Sequence, residues 1–113
     1  MFFLIKIVSE CSNFAKEIVE KNLSTYTLVA GSNTIYTMPS GSGLYIVIVT
    51  FRLNSGTFSQ GVVVTPNDGL IQNNHDYGQV VCFASGGDAI TAYNYGSALS
   101  LHVHSKIRWI KLR

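Results

Sequence analysis

Charge is scarce in this sequence. Its 113 residues include eight basic and six acidic side chains, 12% in all, where a soluble domain usually carries roughly 25%. Between Leu23 and Ser105 the only charged residues are Arg52, Asp68, Asp76 and Asp88. So thin a scatter leaves no basic stripe to track a phosphate backbone, and nucleic acid is not an expected partner. The four cations Lys106, Arg108, Lys111 and Arg113 interleave with Ile107, Trp109, Ile110 and Leu112; they read as a solvated strand terminus, or as partners of Glu10, Glu17 and Glu20. Two cysteines, Cys11 and Cys82, stand in neither a Cys-x-x-Cys nor a zinc-ligand spacing, so no disulfide framework or zinc site is built on them. Long apolar runs are missing as well. Phe2 to Val8 is broken by Lys6 and falls far short of the roughly 20 residues that cross a bilayer. It has no preceding basic region and no small-x-small cleavage site, so neither membrane insertion nor a signal peptide is expected.

What is abundant is neutral and small. Gly, Ser, Thr and Asn supply 38 residues beside a 47% apolar fraction, and short apolar runs alternate with turn signals such as Pro66-Asn67-Asp68-Gly69. This is the pattern of an all-β chain. Strands are predicted at Tyr26 to Ala30, Thr34 to Met38, Leu44 to Arg52, Thr57 to Thr65, Gln79 to Ala84, Ala89 to Tyr95, Ala98 to His104 and Lys106 to Leu112. About eight strands in one domain of this length fit an antiparallel β-sandwich of jelly-roll type. Residues 1–23 form an N-terminal segment that packs on the sandwich or leads into it. Within that segment Ser12 to Leu23 carries Phe14, Ile18, Val19 and Leu23 among charged residues, a spacing that suits a short helix as well as a strand.

The run Leu44-Tyr45-Ile46-Val47-Ile48-Val49-Thr50-Phe51 is apolar on both faces of a strand, and only one face can fill the core. The other needs a cover. Taking Tyr45, Val47, Val49 and Phe51 as the outward set, the expected cover is a neighbouring copy of the chain, the alternative being the N-terminal segment.

Three groups of residues carry chemistry of their own. His102 and His104 flank Val103, so a strand would place both imidazoles on one face about 7 Å apart. Three copies of that pair around an axis would give six nitrogen ligands for iron or another transition metal; otherwise no cofactor is expected. Asn73-Asn74-His75-Asp76-Tyr77 is a polar loop in which His and Asp are adjacent, but no nucleophile elbow, second clustered carboxylate or phosphate-binding loop accompanies it. Together with Tyr93, Asn94 and Tyr95, that loop combines flat aromatic faces with fixed amides, a mixture suited to sugars. Packing of Tyr93 and Tyr95 on a strand face is the competing reading.

The order Asn22-Leu23-Ser24-Thr25-Tyr26-Thr27-Leu28-Val29-Ala30-Gly31, then Tyr36-Thr37-Met38-Pro39-Ser40, then Gly43-Leu44-Tyr45-Ile46-Val47, with a closing strand Ile107-Arg108-Trp109-Ile110-Lys111-Leu112, resembles the small β-sandwich tip domains of bacteriophage tail fibres. The resemblance spans roughly residues 18–113 and is one of style more than of motif. It implies a non-enzymatic, homotrimeric receptor-binding head in the virion, assembled in the host cytoplasm, whose distal loops contact a host cell-surface glycan or protein. It also implies that His102 and His104 match the His-x-His pairs that hold iron on the axis of some such fibres. Two other readings stand beside it: a virion decoration protein without a ligand, and a small metal-dependent sugar-active enzyme built on His75, Asp76, His102 and His104.

Overall fold

The chain pairs with itself as one long hairpin rolled into two layers. The computed structural model describes residues 18–24 and 26–113. Its ten strands are β1 (Val19–Asn22), β2 (Thr27–Leu28), β3 (Gly31–Thr37), β4 (Leu44–Arg52), β5 (Val62–Thr65), β6 (Gly69–Ile71), β7 (Tyr77–Ser85), β8 (Ala89–Asn94), β9 (Leu99–Ser100) and β10 (Lys106–Lys111). Sheet neighbours nest around the β5–β6 turn: β5 with β6, β4 with β7, β3 with β8, and β1 with β10. Rolling that nest yields a four-stranded sheet β1-β10-β4-β7 over another, β3-β8-β5-β6, with β2 and β9 as a small ribbon. Every pairing is antiparallel. The expected sandwich of jelly-roll type is the fold observed.

Local chemistry explains most boundaries. The β5–β6 hairpin turns through Pro66 to Asp68, where Asp68 takes φ 55°, a conformation that Asp tolerates better than most residues. Thr57 to Thr65 is only partly a strand, because Gly61 at φ 90° breaks the extended run and Phe58 turns inward to stack on Phe51 with ring centroids 6.4 Å apart. The helical alternative for residues 12–23 is corrected where it can be seen: Val19–Asn22 is β1, paired with β10, and residues 12–17 lie outside the described residues. Lys21, exposed at this edge, holds its ammonium 5.4 Å from the Tyr36 ring and 5.8 Å from that of Tyr26.

The core between the two sheets corrects a second expectation. Tyr45, Val47, Val49 and Phe51 are fully or almost fully buried within this one chain, so they are not an oligomer interface. They belong to the inner face because β4 aligns Val47 and Val49 with Trp109 and Ile107 of β10 and with Cys82 and Val80 of β7, all core residues. The opposite face carries Leu44, Ile46 and Ile48 of β4, Val81 and Phe83 of β7, and Ile110 of β10, flanked by Ile18 and Leu112. Exposure on it is uneven: Ile46, Ile48 and Ile110 are half-buried. Phe83 is 56% and Val81 55% exposed, and Thr50 Oγ1 and Arg108 Nε, also on this side of the sheet, are buried without a hydrogen-bond partner among the described residues.

Cys82 is free and buried in the core, and burial pushes its thiol above the ordinary range. A raised acid favours the protonated form in the folded state. Its stability contribution is therefore complete below about pH 8.5, the usual thiol value, and is lost as pH rises from there through the folded-state value. In a Cys11→Ser background, a thiol reagent at pH 8.5 is expected to modify Cys82 only at the rate of unfolding. Labelling as fast as that of a small free thiol, without denaturant, refutes this placement.

Candidate recognition cleft

A cleft of about 280 Å³ opens between the loop 56–61 and the loop 94–99. Its walls are Thr57, Phe58, Ser59 and Gln60 on one side and Asn94, Ser97 and Leu99 on the other, with Gly56, Gly61 and Gly96 between them. None of these residues is charged. Hydroxyls, amides and backbone groups line it, so the matching ligand is itself neutral and rich in hydrogen-bonding groups.

The two loops are held together by backbone and by one amide side chain. The Tyr95 N–H donates to the Gly61 carbonyl at 3.1 Å, and the Gly61 N–H donates to Phe58 at 2.9 Å. Gly96 permits the close approach: a Cβ there would lie 2.7 Å from Gln60 Cβ. Asn94, only 2% exposed, donates from Nδ2 to the carbonyls of Leu28 and Ser97, both at 2.9 Å, and its Oδ1 accepts the Gly96 N–H at 3.0 Å. Both of its donors are spent on the chain. Asn94 therefore builds the cleft and is not free to donate to a ligand, a correction to its expected role.

Tyr95 leaves the rim between two lining residues. Tyr95 is 62% exposed, and its ring lies 4.8 Å from that of Tyr93, tilted by 56°. Tyr93, 44% exposed, stands on the outer face of its sheet opposite Ser32 of β3 and Val63 of β5. The pair makes an exposed aromatic step on the outer face of the sheet, and neither ring lines the cleft. Each ring offers a flat apolar face and a phenolic hydroxyl, which hold contact area at little conformational cost.

The loop 73–77 does not join this cleft. Asn73 closes its own turn, its Oδ1 accepting the His75 N–H at 2.9 Å and its Nδ2 donating to the Tyr77 carbonyl at 3.2 Å. Asp76 lies 3.8 Å from Arg52 Nε, and its carbonyl accepts the Leu53 N–H at 2.7 Å. Tyr77 donates to Gln79 Oε1 at 3.0 Å. Asn74, His75, Asp76 and Tyr77 are exposed; the loop is tied to the cleft wall by the Phe58 N–H, which donates to the His75 carbonyl at 3.1 Å. The eight residues expected to form one site thus divide into a cleft with an aromatic step and a separate polar loop.

His102 and His104 do not lie on a strand. Residues 102–105 form a turn in which the Ser105 N–H donates to the His102 carbonyl at 2.8 Å, and the two rings meet edge to face at 4.7 Å. Arg52 Nη1 sits 3.2 Å from His104 Nδ1. A guanidinium only donates, so that nitrogen accepts. The His104 N–H in turn donates to His102 Nδ1 at 3.1 Å. Both δ nitrogens are thereby committed within the turn, which leaves each neutral ring its proton on Nε2. Among the described residues no group of three or more His, Cys, Asp or Glu is placed to hold a metal. The pair acts as a clamp, assisted by Ser105, whose Oγ accepts the Arg52 N–H and donates to the Arg52 carbonyl, both at 2.9 Å.

Thr57, Ser59, Gln60 and Ser97 were not among the residues that the sequence singled out. Their signal was present in Gly56-Thr-Phe-Ser-Gln-Gly61, two glycines bracketing hydroxyls and an amide, which read as part of a strand. Comparisons with protein-family models, with curated proteins and with solved structures find no match to this chain.

Proposed function

We propose that this chain is a non-enzymatic recognition domain that binds a neutral glycan in the cleft beside Tyr93 and Tyr95, and that it works in several copies as the tip of a virion fibre. The observations that carry the glycan reading are an uncharged cleft lined largely by hydroxyl, amide and backbone groups, and an exposed pair of tyrosine rings carried by the same stretch of chain that supplies the lining residues Asn94 and Gly96. Sugars present the complement, a ring of hydroxyls around apolar C–H faces. A cleft this shallow supports a weak single site, and multiple copies raise the avidity without any new contact. The fibre-tip context rests on the likeness of the sequence to such domains.

The experiment is a glycan array followed by titration of the hits against Tyr95→Ala. Loss of one stacked aromatic is expected to weaken binding about tenfold, on the order of 1 kcal/mol, while the unfolding midpoint stays put because the Tyr95 ring is mostly in solvent. An array without any saturable glycan refutes the glycan reading, and so does a Tyr95→Ala variant that binds as tightly as the parent. The exposed Val81 and Phe83 side chains on β7 favour the second reading in the first of those outcomes: a virion structural or decoration protein that contacts only other subunits.

A further inference from the structure

We infer that the glycan is an unbranched, flat chain of neutral sugars, and that it runs from the cleft across the outer face of the β3-β8-β5-β6 sheet. This deepens the glycan part of the proposed function and rests on that part, not on the multi-copy part. Residues directly opposite on antiparallel strands share a face, so the register lays this face out in rows. Ser32 of β3, Tyr93 of β8, Val63 of β5 and Leu70 of β6 form one row across the strands. Thr34, Thr91 and Thr65 form the next, two residues or about 6.7 Å away along the strands. Gly61 joins the rows to the cleft. It lines the cleft, its carbonyl accepts the Tyr95 N–H, and a Cβ on it would lie 3.4 Å from Leu70 Cδ1.

The two rows offer different chemistry. The first is apolar and aromatic, with Tyr93 and Leu70 both exposed and the Tyr95 ring beside that of Tyr93. The second is made of hydroxyls. Thr65 and Thr91 hydrogen-bond to each other through their side chains, which holds both in place and leaves acceptor lone pairs for a ligand. A sugar chain lying flat is divided in the same way: its C–H faces settle on the tyrosine row while hydroxyls along its edge reach the threonine row. Three strand spacings of about 4.8 Å make the first row about 14 Å long, close to three sugar rings laid end to end. A branch or a kinked linkage lifts successive rings off such a face.

A protein partner fits these rows less well. Interface centres concentrate large aromatic side chains and Arg, and deplete Ser, whereas four of the seven side chains in the two rows are Ser or Thr. None of the seven is charged, so nothing in the rows favours an acidic or a basic ligand over a neutral one.

The test is calorimetric titration of the full chain with the unbranched β-1,4-linked hexaoses of glucose, xylose and mannose, and with the matching disaccharides. At least one hexaose is expected to bind saturably, and its disaccharide at least about tenfold more weakly, because the shorter chain leaves most of the row unfilled. Tyr93→Thr removes the ring and keeps a residue that suits a strand; it is expected to stay folded by circular dichroism and to weaken the hexaose about tenfold. The inference is overturned if no hexaose binds, if a disaccharide binds as tightly as its hexaose, or if folded Tyr93→Thr matches the parent. Should Tyr93→Thr fail to fold, Thr91→Val, with the same shape and no hydroxyl, decides by the same criterion, its expected loss being about fivefold. The glycan array separates the two readings. A short or branched hit that Tyr93→Thr leaves unchanged overturns the extended chain and keeps the cleft, whereas an array without any hit removes both.

Discussion

Asn94→Ala is expected to cost about 3 kcal/mol or more of unfolding free energy and to abolish binding in the cleft. The side chain is only 2% exposed and closes three hydrogen bonds at once, to Leu28, Ser97 and Gly96. Truncation leaves two carbonyls and one amide without that partner in a place that water does not readily enter. Each such group costs about 1–3 kcal/mol, and a domain of this size holds only about 5–15 kcal/mol in total. The binding loss exceeds the stability loss, because the groups set free are the ones that hold the 94–99 loop against its neighbours. Asn94→Asp is expected to be worse at neutral pH, since a carboxylate would face the two carbonyls that now accept from Nδ2. Urea unfolding followed by circular dichroism measures the first effect and glycan titration the second. A loss below about 1 kcal/mol, with binding intact, would show that the amide does not build the cleft.

Much of this architecture could be read from residue patterns because alternation and turn chemistry act over a few residues. Leu44 to Arg52 and the Pro66 to Gly69 turn appear where those local rules put them, and the strand predicted at Ala89 to Tyr95 ends one residue earlier, at Asn94. The inner face of β4 was not readable. Tyr45, Val47, Val49 and Phe51 alternate with Leu44, Ile46 and Ile48, two sets of similar hydrophobicity, and the choice is made by long-range register with β7 and β10. The histidines fail for a related reason. His102-Val103-His104 alternates like a strand, yet Ser105 locks onto both backbone groups of Arg52, 53 positions away, and converts the stretch into a turn. The cleft was half legible. Tyr93 and Tyr95 announce themselves as aromatics near Gly96, but the role of Asn94 depends on carbonyls contributed by Leu28 and Ser97, and a sequence window does not bring Leu28 to it. The wall formed by Thr57 to Gln60 is hidden because the local pattern runs Gly61 into a strand, whereas its positive φ redirects the chain there.

Trp109→Ala is expected to have an effect of similar or greater size, this time on the joint between the sheets. Trp109 is the only tryptophan of the chain, stands on β10 with its side chain almost fully buried, and stacks on Tyr36 of the opposite sheet with centroids 4.4 Å apart and planes inclined by 29°. Tyr36 in turn carries the ammonium of Lys21 over its ring, so one aromatic pair ties β10, β3 and the short edge strand β1 together. Truncating a buried aromatic to alanine costs about 3–5 kcal/mol, enough to shift a urea midpoint by about 2 M at ordinary m-values, and at the low end of domain stability enough to unfold the chain. Trp109→Phe keeps a ring on Tyr36 and is expected to recover more than half of that loss. A double-mutant cycle with Tyr36→Ala isolates the stack, for which a coupling of about 0.5–1.5 kcal/mol is expected. The measurement needs circular dichroism in place of fluorescence, since the variant has lost its own probe. If Trp109→Ala stays within about 1 kcal/mol of the parent, the two sheets are held by the rest of the core. The Trp109–Tyr36 contact would then be incidental, and the position of β1 beside it would have to be explained by its pairing with β10.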